Sequence, residues 1–159
     1  MIKIVTGKIN SKKTTRVMDL YLADRQGDGF ISLKVMSDQK VYGYHAMKLS
    51  SREKRLLMVH KDFYLSEFFA IEKIGPYLIH PEVKKWIEQE IEKMIQKKVQ
   101  PIYLDEIGAL ELGGLGFDSI FKKMVSSNLD LIIVVREDMI DLVIKHYQLK
   151  DVTILKSSL

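Results

Sequence analysis

The feature that most constrains the fold is an apolar segment near the N-terminus that leads into a basic loop. Residues 2–5 (IKIV) form a short apolar run, which is typical of a buried strand. A polar loop follows, and apolar residues then recur at helical spacing over 17–22. The octet at 7–14 (GKINSKKT) matches the phosphate-binding pattern G-x-x-x-x-G-K-[ST] except at Lys12. The chain therefore has the strand, loop and helix, in the order that this pattern requires.

The residues of this loop indicate how a triphosphate would be held. Backbone N–H groups in the loop and at the start of the helix point at phosphate oxygens, and the helix dipole favours the negative charge. Lys13 would bridge the β- and γ-phosphates, and the hydroxyl of Thr14 would help to hold Mg²⁺. The candidate binding residues are Gly7, Lys8, Ile9, Asn10, Ser11, Lys12, Lys13 and Thr14. A plainer interpretation is that the basic side chains form a solvated face.

Lys12 stands where the loop pattern has its second glycine. If the backbone is left-handed at that position, a residue with a Cβ atom costs roughly 1–2 kcal/mol. Such a cost would weaken binding about tenfold. The charge of Lys12 could offset it, because a charged hydrogen-bond donor contributes roughly 1.5–3 kcal/mol. The two effects are similar in size, so a loop that no longer encloses the β-phosphate stays open as an alternative.

The pattern of apolar residues in the rest of the chain predicts an α/β fold. An antiparallel meander of short strands is expected at about residues 29–60, and residues 74–79 could hold one short strand. An amphipathic helix begins at Pro81, a residue that suits the first helical turn. Beyond residue 101, apolar strands alternate with helices. This order indicates a mixed, mostly parallel sheet flanked by helices, with residues 1–159 as a single domain.

Two carboxylates and an arginine follow the apolar strands of the second half. Asp105 and Glu106 come directly after residues 101–104 (PIYL). Arg136 follows residues 129–135 (LDLIIVV), the most apolar run in the chain. In open α/β sheets, ligands bind beyond the carboxyl ends of the strands. We therefore expect these side chains on the same edge of the sheet as the basic loop, where together they are the parts that a nucleoside triphosphatase needs.

The roles of these side chains follow from phosphate chemistry. Asp105 would bind Mg²⁺ directly or through a water, since this ion prefers hard oxygen ligands and keeps some of its waters. Glu106 would orient or deprotonate the attacking water. Arg136 would stabilise charge on the γ-phosphate, although an arginine in this position is more often structural or exposed, and Lys13 joins Glu106 and Arg136 as a candidate catalytic residue. Glu111 receives no role and is interpreted as part of a connecting loop with the glycines that follow it.

The composition excludes several classes of protein. The absence of cysteine excludes disulfides, thiolate catalysis and cysteine-based zinc sites, and it fits a cytoplasmic protein. No apolar run is long enough to span a bilayer, and the N-terminal run meets lysines too soon for a secretory signal. The net charge of +4 is modest, so a nucleic-acid ligand is not favoured over any other polyanion.

The carboxylate segment carries a family resemblance. Residues 105–112 (DEIGALEL) resemble the D-E-I-G-x-M-E-L signature of the thermophilic-type nucleoside-triphosphatase family of P-loop proteins. The resemblance extends over roughly the whole chain and implies a three-layer, P-loop NTPase-like α/β fold. It also implies Mg²⁺-dependent hydrolysis of ATP, GTP and other nucleoside triphosphates with little base preference. By the same resemblance, Thr15 joins Gly7, Lys13 and Thr14 as a phosphate-loop residue, Asp105 is the metal carboxylate, and Glu106 is the catalytic one.

The leading hypothesis is a nucleoside triphosphatase, and three alternatives stay open. The first is a non-catalytic protein that has lost activity through its altered loop and binds a nucleotide weakly or acts through a partner. The second is an RNA- or polyphosphate-binding module that uses the basic loop together with Arg16, which the modest charge and the lack of an aromatic stacking platform disfavour. The third is a nucleotide kinase with residues 50–55 (SSREKR) as part of a lid, although a hairpin turn explains that segment more simply.

Overall fold

The computed structural model of the protein describes residues 1–8, 12–63 and 72–157. The described residues form nine strands and five α-helices. The strands are β1 Ile2–Thr6, β2 Asp28–Ser37, β3 Lys40–Lys48, β4 Lys54–His60, β5 Glu72–Ile74, β6 Tyr77–Ile79, β7 Ile102–Leu104, β8 Leu131–Val134 and β9 Val152–Lys156. The helices are α1 Lys13–Asp24, α2 Pro81–Gln96, α3 Ala109–Leu112, α4 Asp118–Ser126 and α5 Ile140–Tyr147. Short 3₁₀ turns lie at Lys61–Phe63 and Glu137–Met139.

All of these strands belong to one mixed sheet, in the order β5-β6-β4-β3-β2-β7-β8-β1-β9. The five strands from β2 to β9 in this order are parallel to one another. The other four are added antiparallel, from β3 outwards. The mixed, mostly parallel sheet and the antiparallel meander at 29–60 are therefore confirmed. Residues 74–79 form parts of two strands rather than one, because the turn at Gly75 and Pro76 folds the segment into a hairpin.

Helices cover both faces of the sheet, which gives the three layers. Successive residues of β1 point to opposite faces, as in any strand. Ile4 is buried in a core with α2, α4 and α5, and Val5 is buried in a second core with α1. Burial on both faces explains why β7 and β8 are apolar at every position and show no alternation. Among the described residues, no helix is both long and apolar enough to cross a membrane.

Helix α2 begins at Pro81, as its sequence predicts. His80 caps the helix, because its Nδ1 atom accepts a hydrogen bond from the backbone N–H of Glu82 at 3.2 Å. The apolar stripe of the helix is buried against the sheet. Trp86 in this stripe packs edge-on against Phe30 of β2, with ring centroids 5.1 Å apart. The helix therefore anchors the middle of the sheet from the face opposite α1.

Gly43 lies at an irregular point in the meander. The register of β3 shifts beside it against both neighbours, at Val35 and Met36 of β2 and between Tyr44 and His45 in the pairing with β4. A Cβ atom on Gly43 would lie 1.9 Å from the carbonyl oxygen of Met58. Glycine is therefore required here by the close approach of two backbones.

We predict that Gly43→Ala destabilises the protein by about 1–3 kcal/mol, the usual cost of overpacking a filled site. The free energy of unfolding, measured by urea denaturation, checks this. Gly113→Ala is the matched control, because φ is −85° there and an added Cβ would meet its nearest neighbour at 3.4 Å. An equal loss of stability in the two variants would contradict the explanation.

Candidate active site

The predicted site residues come together through the strand order. Strands β7, β8 and β1 are neighbours and parallel, so their carboxyl ends lie side by side. These ends carry Asp105 with Glu106, then Arg136, then Gly7. Because β8 lies between the other two strands, Arg136 starts between the carboxylates and the basic loop. These residues therefore lie on one edge of the sheet, as expected from the sequence.

The basic loop leads directly into α1. Lys13 is the first residue of the helix and is only 9% exposed. Its Nζ atom donates a hydrogen bond to the carbonyl oxygen of Lys8 at 2.8 Å, so the ammonium group lies against the loop backbone. Gly7 is buried and Thr15 is exposed. The remaining candidates in this loop, Ile9, Asn10 and Ser11, lie outside the described residues.

The backbone conformation at Lys12 is not left-handed. It is the residue before α1, with φ −83° and ψ 51°, and its carbonyl oxygen accepts a hydrogen bond from the backbone N–H of Arg16 at 3.0 Å. A negative φ is open to residues with a Cβ atom, so the backbone cost that was considered for this position does not arise. The replacement of glycine by Lys12 is therefore accommodated without backbone strain.

Asp105 joins three parts of the chain. It is 9% exposed, and its Oδ2 atom accepts hydrogen bonds from the hydroxyl of Thr14 at 3.0 Å and from the backbone N–H of Ser32 at 2.9 Å. Burial raises the pKa of Asp105 to about 6, and the charge of Glu106 adds to the rise. The two hydrogen bonds and the charge of Lys13 act in the opposite direction but do not cancel it.

The pair Thr14 and Asp105 suits a magnesium ion. Both offer hard oxygen atoms, and a desolvated carboxylate is stabilised by a nearby cation. Among the described residues, no three His, Asp or Glu side chains form a group that could hold a metal by themselves. A site with one hydroxyl and one carboxylate matches the habit of Mg²⁺, which keeps several waters and shares substrate phosphates. The residues present therefore fit this ion.

Glu106 is held in a left-handed conformation, with φ 64°. The backbone is fixed on both sides of it, because the N–H of Asp105 donates to the carbonyl oxygen of Phe30 and the N–H of Ile107 donates to that of Val134. Its side chain is exposed and lines a cavity at the sheet edge. Positive φ in a residue with a side chain is uncommon and costly, and such residues cluster at functional sites.

Arg136 follows β8 and lies on the wall of the same cavity as Glu106. Its guanidinium group binds Asp138 through two contacts, Nε to Oδ1 at 2.6 Å and Nη2 to Oδ2 at 3.0 Å. This ion pair raises the pKa of Arg136 and lowers that of Asp138. The side chain is 40% exposed, and the next residue, Glu137, donates its backbone N–H to the carbonyl oxygen of Gly7 at 3.1 Å. This hydrogen bond holds the backbone next to Arg136 against the start of the basic loop.

The cavity has a volume of about 590 Å³. One wall carries Asp105, Glu106 and Arg136, and the opposite wall comes from the meander and the β5–β6 hairpin, including Tyr44 and Tyr77. Such a volume is within the range of small-molecule sites, roughly 300–1,000 Å³. These three side chains therefore line a space large enough for a ligand.

Glu111 has a structural role that the sequence did not reveal. It is 3% exposed, and its two oxygens accept hydrogen bonds from the backbone N–H groups of Gly108 and Phe117, both at 2.9 Å. Burial raises the pKa of Glu111. A Cβ atom on Gly116, where φ is 59°, would lie 2.1 Å from the Oε2 atom of Glu111. The segment interpreted as a loop therefore contains the one-turn helix α3 and is closed by a buried carboxylate.

A signal for this role was present in the sequence. Glu111 belongs to the same eight-residue signature as Asp105, and glycines follow it at close spacing. A carboxylate next to glycines can accept hydrogen bonds from the surrounding backbone without a steric clash. The contact partners, however, are set by how the segment folds back on itself.

The chain is similar to known proteins in both sequence and fold. A family model described as NTPase matches residues 3–158. The crystal structure of THEP1 from the hyperthermophile Aquifex aeolicus matches with a TM-score of 0.73 and 18% identity, over 99% of this chain and 90% of that one. The solution structure of a human cancer-related nucleoside triphosphatase matches with a TM-score of 0.66 and 17% identity, over 98% of this chain and 87% of that one. Among curated proteins, no sequence matches the chain significantly.

The raised pKa of Asp105 predicts a pH-dependent stability in the absence of Mg²⁺. The pKa rises from an ordinary 3.8 in the unfolded chain to about 6 in the folded protein, so the folded state binds the proton more tightly. The stabilisation from protonated Asp105 is fully present below about pH 3.8 and is lost as the pH rises through about 6. Relative to Asp105→Asn, the wild type should lose roughly 2 kcal/mol of stability between pH 4 and 7.

Chemical denaturation of both proteins in a chelating buffer, over that pH range, measures the difference. Asp19→Asn is the control, because Asp19 is an exposed aspartate on α1. This variant should follow the wild type. Parallel pH profiles for the wild type and Asp105→Asn would show that the explanation is wrong.

Proposed function

Since the chain belongs to the NTPase family, the THEP1-type nucleoside triphosphatases with a P-loop, we propose that it hydrolyses nucleoside triphosphates. The proposed reaction takes ATP, GTP and other nucleoside triphosphates to the diphosphate and phosphate with Mg²⁺. The observation that carries the proposal is the contact between Thr14 and Asp105, 3.0 Å apart across 91 positions of sequence. It joins the phosphate loop to the carboxylate segment.

The phosphate loop would bind the triphosphate. Backbone N–H groups of such a loop and of the first turn of the helix after it would donate to the anion, and the helix dipole would favour it. The ammonium group of Lys13 donates a hydrogen bond to the carbonyl oxygen of Lys8. On nucleotide binding it would donate to oxygens of the β- and γ-phosphates instead. Lys12 is exposed and its backbone has a negative φ, so its charge would be available to the phosphates. This geometry argues against the alternative in which Lys12 abolishes binding.

Thr14 and Asp105 would hold Mg²⁺, which neutralises charge on the phosphate oxygens when bound. Asp105 is positioned for this from two sides, by the hydroxyl of Thr14 and by the backbone N–H of Ser32. Most of the ligand geometry is therefore set before the ion binds. Such preorganisation reduces the cost of ordering the site.

Glu106 would orient the attacking water and accept its proton. Its carboxylate follows Asp105 directly and opens into the cavity, and its rigid backbone keeps the side chain there. Arg136, on the same wall, would stabilise the charge that develops on the γ-phosphate. The guanidinium group would have to exchange one of its contacts with Asp138 for the phosphate.

We predict that the wild type releases phosphate from Mg-ATP and Mg-GTP, and that Glu106→Gln lowers kcat by about 10²–10⁴-fold through the loss of the base. Lys13→Ala should abolish binding of a non-hydrolysable triphosphate in calorimetry, whereas Glu106→Gln should bind it like the wild type. Glu53→Gln, at an exposed glutamate in the turn before β4, is the control and should retain full activity. Tight binding without turnover in the wild type would instead support a non-catalytic nucleotide switch.

Arg136→Ala should lower kcat by about 10²–10³-fold with little change in KM, because its contact to the phosphate strengthens as charge develops. Arg136→Lys should recover only part of the loss, since lysine lacks the planar fork. Steady-state kinetics with Mg-ATP measure both values. Arg52→Ala removes an exposed arginine before β4 and serves as the control. A kcat within twofold of the wild type for Arg136→Ala would leave Arg136 with the purely structural role of pairing with Asp138.

A further inference from the structure

The position of the cavity relative to the phosphate loop is informative. Its wall includes the residues that would surround the γ-phosphate, namely Asp105, Glu106 and Arg136. Among the described residues that line it, none comes from the phosphate loop or from α1. The remaining wall belongs to the meander, the β5–β6 hairpin and the start of α2. By the strand order, the cavity extends from the carboxylates after β7 toward β3 and β4, whereas Gly7 at the end of β1 lies on the other side of β8.

A triphosphate bound in the loop has a defined direction. The loop backbone cradles the α- and β-phosphates, and its lysine reaches the β- and γ-phosphates. The γ-phosphate is then the one nearest to Thr14 and Asp105, while the nucleoside lies on the side of the loop and α1. The cavity accordingly opens toward the γ-phosphate from the side away from the nucleoside. A water molecule alone does not need a space of about 590 Å³ there.

We propose that this cavity binds a second substrate, a small aromatic alcohol with an anionic group, which accepts the terminal phosphoryl group in place of water. This inference rests on the proposed function, because the donor is the triphosphate held by the phosphate loop. It adds a phosphotransferase activity to that of the hydrolase and assigns a substrate to the part of the cavity beyond the residues proposed for hydrolysis.

The walls of the cavity indicate the aromatic part of the acceptor. Tyr44 and Tyr77 form an edge-on pair on one wall, with ring centroids 5.4 Å apart, and Met58 lies beside them. Ile79 is buried beneath this wall. Flat rings pack well against aromatic and thioether groups. A ring system of the size of a nucleobase is therefore the complementary shape.

The charged groups of the cavity indicate an anion at its far end. Lys84, a half-buried residue of the first turn of α2, lines the cavity, and Lys73 of β5 lies exposed at its rim. Both belong to elements other than the segment that carries Glu106. Lysines bind phosphate and carboxylate groups as point charges. The acceptor would thus present its anionic group to the lysines and a hydroxyl group to Glu106.

The transfer step balances without a further reactant. The hydroxyl oxygen of the acceptor forms a bond to the γ-phosphorus atom as its proton passes to Glu106. The bond from that phosphorus to the β,γ-bridging oxygen breaks, and the nucleoside diphosphate leaves with the electron pair. Water would follow the same path more slowly when the acceptor is bound, because the acceptor excludes it from the cavity.

Calorimetry without any triphosphate tests the binding site on its own. The probes are the four ribonucleoside 5′-monophosphates and the four 3′-monophosphates, each of which carries a ring, a phosphate and a free hydroxyl. At least one should bind the wild type at a single site and should bind Lys84→Ala at least tenfold more weakly. Lys85→Ala is the matched control, since Lys85 is the next residue of α2, is exposed and does not line the cavity. It should bind like the wild type.

A second pair of variants tests the aromatic wall independently of charge. Tyr77→Leu should weaken binding of the same probe at least tenfold. Tyr42→Leu is its control, because Tyr42 packs against Phe63, with ring centroids 5.1 Å apart, and is not part of the cavity wall. Thermal denaturation of both variants identifies any that fail to fold, and the lysine pair then decides the outcome.

Transfer is followed with ATP labelled in its γ-phosphate. Label should appear in a new ester on the probe, at the expense of free phosphate.

If ATP is hydrolysed but no probe binds, or no label reaches a bound probe, the acceptor site is disproved while the hydrolase stands. If the wild type neither binds nor hydrolyses ATP, the proposed function fails, and calorimetry still decides whether the cavity binds the probes. A tenfold weaker binding of ATP itself in Lys84→Ala and Tyr77→Leu would assign the cavity to the triphosphate and overturn the inference.

Discussion

The arrangement of the site depends on one buried carboxylate, Asp105. It accepts hydrogen bonds from Thr14 at the start of α1 and from the backbone of Ser32 in β2, and it terminates β7. Three segments far apart in sequence therefore meet at a single group. Removal of this carboxylate from water raises its pKa, which is unfavourable for the protein alone. A cation at this position would offset the cost of burying the charge of Asp105. The low polarity of the surroundings that makes this charge costly would also make its attraction to the cation stronger.

The order of the strands converts this local contact into a site with distinct sides. With β8 between β1 and β7, the phosphate loop lies on one side of Arg136 and the carboxylates lie on the other. The antiparallel meander extends the sheet beyond β2 and builds the far wall of the cavity. A purely parallel sheet of five strands would lack that wall. The addition of β3, β4, β5 and β6 is therefore what encloses the cavity beside Asp105 and Glu106.

Rigid support holds the carboxylate segment in place. Hydrogen bonds to β2 and β8 fix the backbone around the left-handed Glu106, and Glu111 closes the following turn from inside. Gly116 is needed because a side chain there would occupy the position of the Glu111 carboxylate. In this way Glu111, which has no proposed role in the chemistry, holds the backbone that follows Glu106. Buried, fully hydrogen-bonded carboxylates of this kind fix one loop conformation.

Short-range patterns in the sequence were sufficient for the fold class and for the positions of Asp105, Glu106 and Arg136 at strand ends. These patterns are local, because strand and helix periods and the carboxyl-end rule need only neighbouring residues. The one-turn helix with Glu111, the division of residues 74–79 into two strands, and the negative φ of Lys12 came only from the tertiary structure. So did the cavity, whose walls come from residues 32 to 139. Each of these depends on contacts between distant segments, whose geometry is set by packing and hydrogen bonding in the folded chain rather than by local preference.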